Sequence, residues 1–362
     1  MPHGLAVLAS APMFVAVVGG GVMGCASALA LAKRGARVVV LERAVPGAEA
    51  SSAAAGILGA QAESHARGPL LGLLLRARAE YAAWSDELRR ETGIDIGHRV
   101  SGVLRVARTD LDAERVAKDV AWQRADGLRA ELLRGHEARS LEPEIAEDVR
   151  AAAYYPDDAQ VDPPLLLRAL VRAASHAGVT FRSGTTVARL LVEDGACRGV
   201  CLDDGDLTAD AVVLAAGSWS SLVGGVPDVA RSVKPVRGQM VLLEQRPPRA
   251  KVIVFGASTY VVPRGDGRVL CGSTMEDVGF RKEVTAGGVH AILHAALEIM
   301  PALASAQLSS TWTNFRPQTG EDRPLIGASP MPGLFLATGH HRNGILLAKV
   351  TGDGVAHAVC GA

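Results

Sequence analysis

This 362-residue sequence predicts an α/β fold, in which a doubly wound parallel sheet is interleaved with a β-rich α+β region. Three observations carry the prediction. A glycine-rich turn, GGGVMG, lies between a β-branched run and a helix of small residues near the N-terminus. A second short apolar run ending at a glycine, VVLAAG, occurs far along the chain. The remaining β-type runs are punctuated by glycine turns, and no repeat or low-complexity linker separates the regions, so the chain is expected to pass back and forth between them.

The elements follow in order. Residues 14–18 (FVAVV) form a short β-branched run of the kind expected of a strand buried on both faces. Gly19, Gly21 and Gly24 make a G-x-G-x-x-G turn, residues 25–33 read as helix, Gly35 ends it, and 37–41 is a second buried strand finishing at Glu42. The run SSAAAGIL can open a helix with Ser51 or Ser52 as its cap. Helices are predicted over 69–91, 110–126, 163–177, 285–300 and 344–358, with proline at the start of the first and third and Pro301 ending the fourth. Strands are predicted over 100–107, in several short pieces between 178 and 205, and over 211–215, 236–243, 252–255 and 334–337. The segment YVVPRGDGRVLCGST reads as a hairpin.

Composition narrows the function. Hydrophobic residues make up 48% and charged residues 21%, an ordinary globular balance. Thirty-eight basic residues face 38 acidic ones, so there is no basic excess of the kind a nucleic-acid binder shows. The five cysteines have no zinc-type spacing and read as reduced thiols of a cytoplasmic protein. Residues 11–32 carry no charge and are long enough to span a membrane. Three consecutive glycines in their middle and an abundance of alanine favour the strand–turn–helix reading instead.

That reading assigns chemistry. Gly19 allows the tight turn, Gly21 lets the backbone approach a pyrophosphate, and Gly24 lets helix and strand pack closely. The helix start offers free N–H groups and a partial positive charge to phosphates, and Glu42 is placed to accept hydrogen bonds from a ribose diol. In this strand–turn–helix context the motif specifies a Rossmann-type dinucleotide site, without separating NAD from FAD.

With these pieces in place, VVGGGVMG, SSAAAGILGAQAE, VVLAAGSWS, PVRGQ, YVVPR, GSTMEDVGF, FRPQTGEDRPLIG and ATGHHRNGILLA occur in an order that resembles the D-amino-acid oxidase superfamily of flavoproteins, and within it the glycine oxidases. The resemblance covers nearly the whole chain from Phe14 onward. It implies non-covalent FAD, with an FAD-binding domain built from 13–92, 150–230 and 317–360 and a substrate domain from 93–149 and 231–316. Cofactor contacts are implied for Gly19, Gly21, Gly24, Glu42, Ser51, Ala54, Ala55, Gly56, Ile57, Val187, Ala216 and Gly217. Arg342, Asn343, Gly344, Ile345 and Leu346 would face the flavin ring, with the dipole of the last helix aimed at it. Substrate contacts are implied for Tyr260, Met275, Arg316 and Arg342. Spacing alone favours an ion pair of Arg316 with Glu321 or Asp322; the resemblance assigns it to the substrate carboxylate, which its planar fork suits.

The implied activity is oxidation of glycine or another small amino acid or amine to the imine and then the oxo acid, releasing ammonia and hydrogen peroxide. The implied setting is thiazole formation in thiamine biosynthesis. Sarcosine-oxidase-like and D-amino-acid dehydrogenase activities are the alternatives. No cysteine lies between Asn314 and Gly320, where sarcosine oxidases commonly tether the flavin. The expected partners are the small substrate and dioxygen, with no nucleic acid and no membrane span; a homo-oligomer is compatible with the sequence. Departures from the family pattern are Ser258 in place of a histidine, His341 in place of an aromatic residue, and Lys349 in place of a proline. His340 and His341 are expected to pack or cap.

Overall fold

The structure, a computed structural model, describes residues 11–321 and 323–361. A six-stranded sheet forms one half of the molecule, in the order Leu325–Ala328, Leu334–Thr338, Ala211–Leu214, Phe14–Val18, Arg37–Glu42, Thr180–Ser183. All neighbours are parallel except the first pair, and the central register sets Val17 beside both Val40 and Val213. The β-branched runs of the sequence are therefore the strands buried on both faces, as a parallel sheet requires.

One face is covered by helices Val22–Lys33, Pro163–His176 and Gly344–Cys360, which bury Val15, Val17, Val38, Val40 and Val213. The other face, carrying Ala16, Val18, Val39, Leu41, Val212 and Leu214, is covered by an antiparallel meander, Val187–Glu193, Ala196–Leu202 and Gly205–Thr208. The Rossmann-type expectation thus holds for the strand–turn–helix unit, while β-structure replaces the second helical layer. The uncharged stretch 11–32 folds as strand Phe14–Val18 and helix Val22–Lys33. Among the described residues no helix is long and apolar enough to cross a membrane.

The other half is an eight-stranded sheet ordered Gln307–Gln318, Lys234–Glu244, Arg268–Gly272, Tyr260–Pro263, Ile253–Phe255, Val103–Ala107, Ala151–Tyr155, Glu131–Arg134. Helix Ala286–Ile299 packs on one face through Ile292, Ala296 and Ile299, and helix Asp110–Ala125 on the other through Val116 and Val120. Residues 151–155, expected in the FAD-binding segments, pair into this sheet instead. The twelve-residue strand Gln307–Gln318 has no counterpart in the sequence reading. Its first five residues are exposed and polar except Leu308, so no clean alternation marks it; only Thr311, Trp312, Thr313 and Phe315 carry a β signal.

Most helix and strand boundaries agree within a few residues, with physical reasons for the exceptions. The first helix begins at Val22 because the turn closes at Gly21, and the strand expected from 100 begins at Val103, after Gly102 turns at φ +68°. Ser51 does not cap its own short helix, Ala50–Ala53; its Oγ instead accepts from the Val22 N–H at 2.9 Å, at the start of the neighbouring helix.

Candidate active site

A cavity of about 500 Å³ runs from the carboxyl ends of the parallel strands to Gly238, Met240, Phe255, Tyr260 and Arg316 of the eight-stranded sheet. At its inner end the glycine turn closes as the sequence requires. Gly19 sits at φ +105°, and a Cβ at Gly24 would lie 1.9 Å from the Gly19 carbonyl oxygen, so helix and strand approach only because both are glycine. Gly24 therefore serves packing and does not line the cavity, whereas Gly19 and Gly21 do. Glu42 accepts from the Gly20 N–H at 2.7 Å through Oε2 and from the Ala44 N–H at 2.9 Å through Oε1. Each oxygen keeps a lone pair, and the carboxylate borders the cavity beside Val187.

The middle of the cavity is walled by Ser51, Ala54, Ala55, Gly56 and Ile57 on one side and by Ala216 and Gly217 on the other. This loop is held by donors from the eight-stranded sheet: Trp312 Nε1 bonds the Ala53 carbonyl at 2.9 Å and Arg264 Nη2 the Ala55 carbonyl at 2.6 Å. Arg264 is buried, with no carboxylate bonded to it among the described residues, and that burial lowers its pKa to about 10.

Helix Gly344–Cys360 begins against the cavity directly after the 3-10 turn His341–Asn343 and carries no side-chain cap, so the positive end of its dipole faces the cavity. A Cβ at Gly344 would meet only Met23 Cε at 3.6 Å and His340 Cβ at 3.8 Å. Protein packing therefore does not require glycine there, and the missing side chain leaves the helix start open to the cavity. Ile345 also lines the cavity, while Asn343 and Leu346 do not, Leu346 being buried in the core beneath. His340 is buried with Nε2 2.9 Å from Thr351 Oγ1, and that burial pushes its imidazole down to about 3.

At the outer end stand Tyr260, Arg316 and Arg342. Arg316 Nη1 donates to the Thr274 carbonyl at 3.2 Å and Nη2 to Ser273 Oγ at 2.5 Å. Among the described residues no carboxylate lies within ion-pair distance of it; Asp322, the partner its spacing suggests alongside Glu321, lies outside the described residues. Gly238 makes room for this guanidinium, since a Cβ there would come within 2.3 Å of Arg316 Nη1. Tyr260 directs its hydroxyl at Met240 Sδ, 3.2 Å away. Met275 differs from expectation: its side chain is 62% exposed, it does not line the cavity, and it touches the site only through Arg342 Nη2 at 3.9 Å. Ser258 is exposed away from the cavity, and Lys349 is accounted for by ion pairs to Asp353 and Glu80.

Sequence reasoning misses Glu63, Ser273 and Gly238. Glu63 borders the cavity and pairs with Arg342 Nε at 3.3 Å. The signal was present, since Glu63 closes the quoted run SSAAAGILGAQAE, but nothing in one dimension tells an inward carboxylate from a surface one.

A glycine turn at the strand ends, a slot against a helix start and an arginine fork with no carboxylate partner among the described residues are the parts that a dinucleotide-dependent oxidoreductase of a small anionic substrate requires. The residues present fit FAD: Glu42 suits the ribose, the Val22–Lys33 helix start the pyrophosphate, and Gly344 the flavin ring. The chain belongs to the family of FAD dependent oxidoreductases (DAO), whose pattern it matches over residues 15–358. It is similar to glycine oxidase of Geobacillus kaustophilus, with 39% identity over 95% of this chain and 92% of the relative. The crystal structure of that enzyme superposes with a TM-score of 0.91, covering 96% of this chain and 95% of the other. A bifunctional ThiO/ThiG protein of Synechocystis is 37% identical over 93% of this chain, which spans 50% of that relative's length.

Proposed function

We propose that the protein oxidises glycine or a similarly small amino acid or amine, with dioxygen as acceptor, to the imine and then the oxo acid, and that it serves thiazole formation in thiamine biosynthesis. The Arg316 fork carries this reading. It is half-buried, oriented by two hydrogen bonds and paired with no carboxylate among the described residues, so it is preorganised for one brought by the substrate. The similarity to glycine oxidase and to ThiO/ThiG supports the choice of amine and of pathway.

Bound FAD supplies the oxidant, taking two electrons from the substrate and passing them to dioxygen. The chain supplies geometry and field. Arg316 fixes the carboxylate, the Tyr260 hydroxyl borders the same pocket, and the start of helix Gly344–Cys360 would favour negative charge on a ring bound against it. The walls formed by Met240, Phe255 and Tyr260 keep the reacting carbon in a largely apolar pocket. We place the protein in the cytoplasm, consistent with its free cysteines. Peroxide formation across glycine, sarcosine, D-alanine and D-proline tests the reading: glycine among the best substrates supports it, and no peroxide from any of the four refutes it.

A further inference from the structure

Glu63 is held in the cavity by its own loop. The fully buried Asp158 accepts from the Gln61 N–H at 3.2 Å and the Ala62 N–H at 2.8 Å, and is itself paired with Arg78 Nη1 at 2.5 Å. The Gln61 side chain bonds Gln123 Oε1 at 2.9 Å and the Arg129 carbonyl at 3.0 Å. A loop tied at this many points presents the next side chain with little freedom. Glu63, only 13% exposed, faces Arg342 at 3.3 Å; Arg316 from strand Gln307–Gln318, Arg105 from strand Val103–Ala107 and Asp158 behind the loop are the other charges that reach it.

Among the described residues, the charged groups lining the outer end of the cavity are Arg316, Arg342 and Glu63. An amino acid arrives from neutral water as the zwitterion, and only its neutral-amine form can release electrons from the α-carbon, so a group must take the ammonium proton.

We propose that Glu63 is the catalytic proton acceptor for the substrate ammonium, a role that rests on the amino-acid oxidation reading above. The N–H bond breaks, an O–H bond forms on Glu63, the electron pair stays on nitrogen, and nothing is oxidised in this step. Arg342, 43% exposed, is then screened by water in place of its counter-ion, and the proton leaves to solvent when product departs. Burial raises the Glu63 carboxyl above its ordinary value against the pull of Arg342 and Arg316, which is the direction a proton acceptor needs.

The test uses the FAD-loaded protein, following anaerobic flavin bleaching by glycine across pH, with acetate binding read from the flavin spectrum as a ligand that has no ammonium proton. Glu63→Gln is expected to bleach about a hundredfold more slowly at neutral pH, to recover as pH rises toward the ionisation of free glycine, and to keep acetate binding. Glu63→Asp, which keeps a carboxylate, is expected to be slower but to retain the wild-type acid limb, and it decides the matter should the glutamine variant lose FAD. An unchanged pH profile in Glu63→Gln, an equal loss at every pH, or loss of acetate binding overturns the proposal, leaving Glu63 a strut for Arg342. Wild-type flavin that no amino acid of the panel bleaches, though acetate binds, would instead bring down the oxidation reading, and this proposal with it.

Discussion

Arg316→Met separates a substrate anchor from a structural ion pair. The guanidinium is half-buried and held by Ser273 Oγ at 2.5 Å and the Thr274 carbonyl at 3.2 Å. Methionine preserves much of the side-chain volume and removes the fork. The two lost hydrogen bonds weaken the fold by about 1 kcal/mol each at most, because both partners border the cavity and can turn to water. A substrate carboxylate left desolvated and unpaired costs about 2–5 kcal/mol, which at tenfold per 1.4 kcal/mol is roughly thirty-fold to several-thousand-fold in kcat/KM. Glycine should suffer that loss, while ethylamine, which has no carboxylate, should change by less than about threefold. The assay is peroxide formation with both substrates on the same variant, alongside flavin content and melting temperature. Equal losses on the two substrates, with flavin released and the melting temperature lowered, would show that Arg316 holds the fold and not the substrate.

Three further outcomes are expected. Acid precipitation should release all of the flavin as FAD into the supernatant, because among the described residues no cysteine lines the cavity; colour retained in the pellet would show a covalent bond. Gly344→Ala should leave the apoprotein's melting temperature unchanged, since the new methyl meets only ordinary contacts, yet weaken FAD binding by about tenfold or more as it enters the ring's slot; undiminished affinity by titration would remove the ring from that position. His340 has its pKa lowered to about 3 by burial, so below about pH 6.5 the unfolded chain binds a proton that the folded one does not. Stability should therefore decline as pH falls from about 6.5 toward about 3, by about 1.4 kcal/mol per pH unit from this residue, and urea midpoints of His340→Gln should show a shallower acid slope. Identical slopes would mean that the imidazole is not held neutral.

The FAD-binding half was legible in the sequence because its information is local. Gly19, Gly21, Gly24 and Glu42 act within one strand–turn–helix–strand unit, and the β-branched runs around them can be buried in only one way. The motif VVLAAG announced Ala216 and Gly217 for the same reason, and Gly344 stood out as a glycine opening an apolar helix. The substrate end was legible only by family resemblance, and there in part. Arg316 lies on strand Gln307–Gln318, whose exposed polar start hides its period, and whether it meets a surface acid or an open cavity depends on Gly238 across the sheet. Met275 could be placed inside or outside only by the path of its loop. Glu63 became an inward carboxylate because Asp158, far away in the chain, grips the two amides before it. Sequence by itself marked the strand–turn–helix unit that lines the inner end of the cavity, since that unit is built from contiguous residues and backbone geometry. Tertiary structure alone decided which charges face the substrate, because that depends on side chains from separate elements meeting in one desolvated cavity, and no spacing along the chain records their distance.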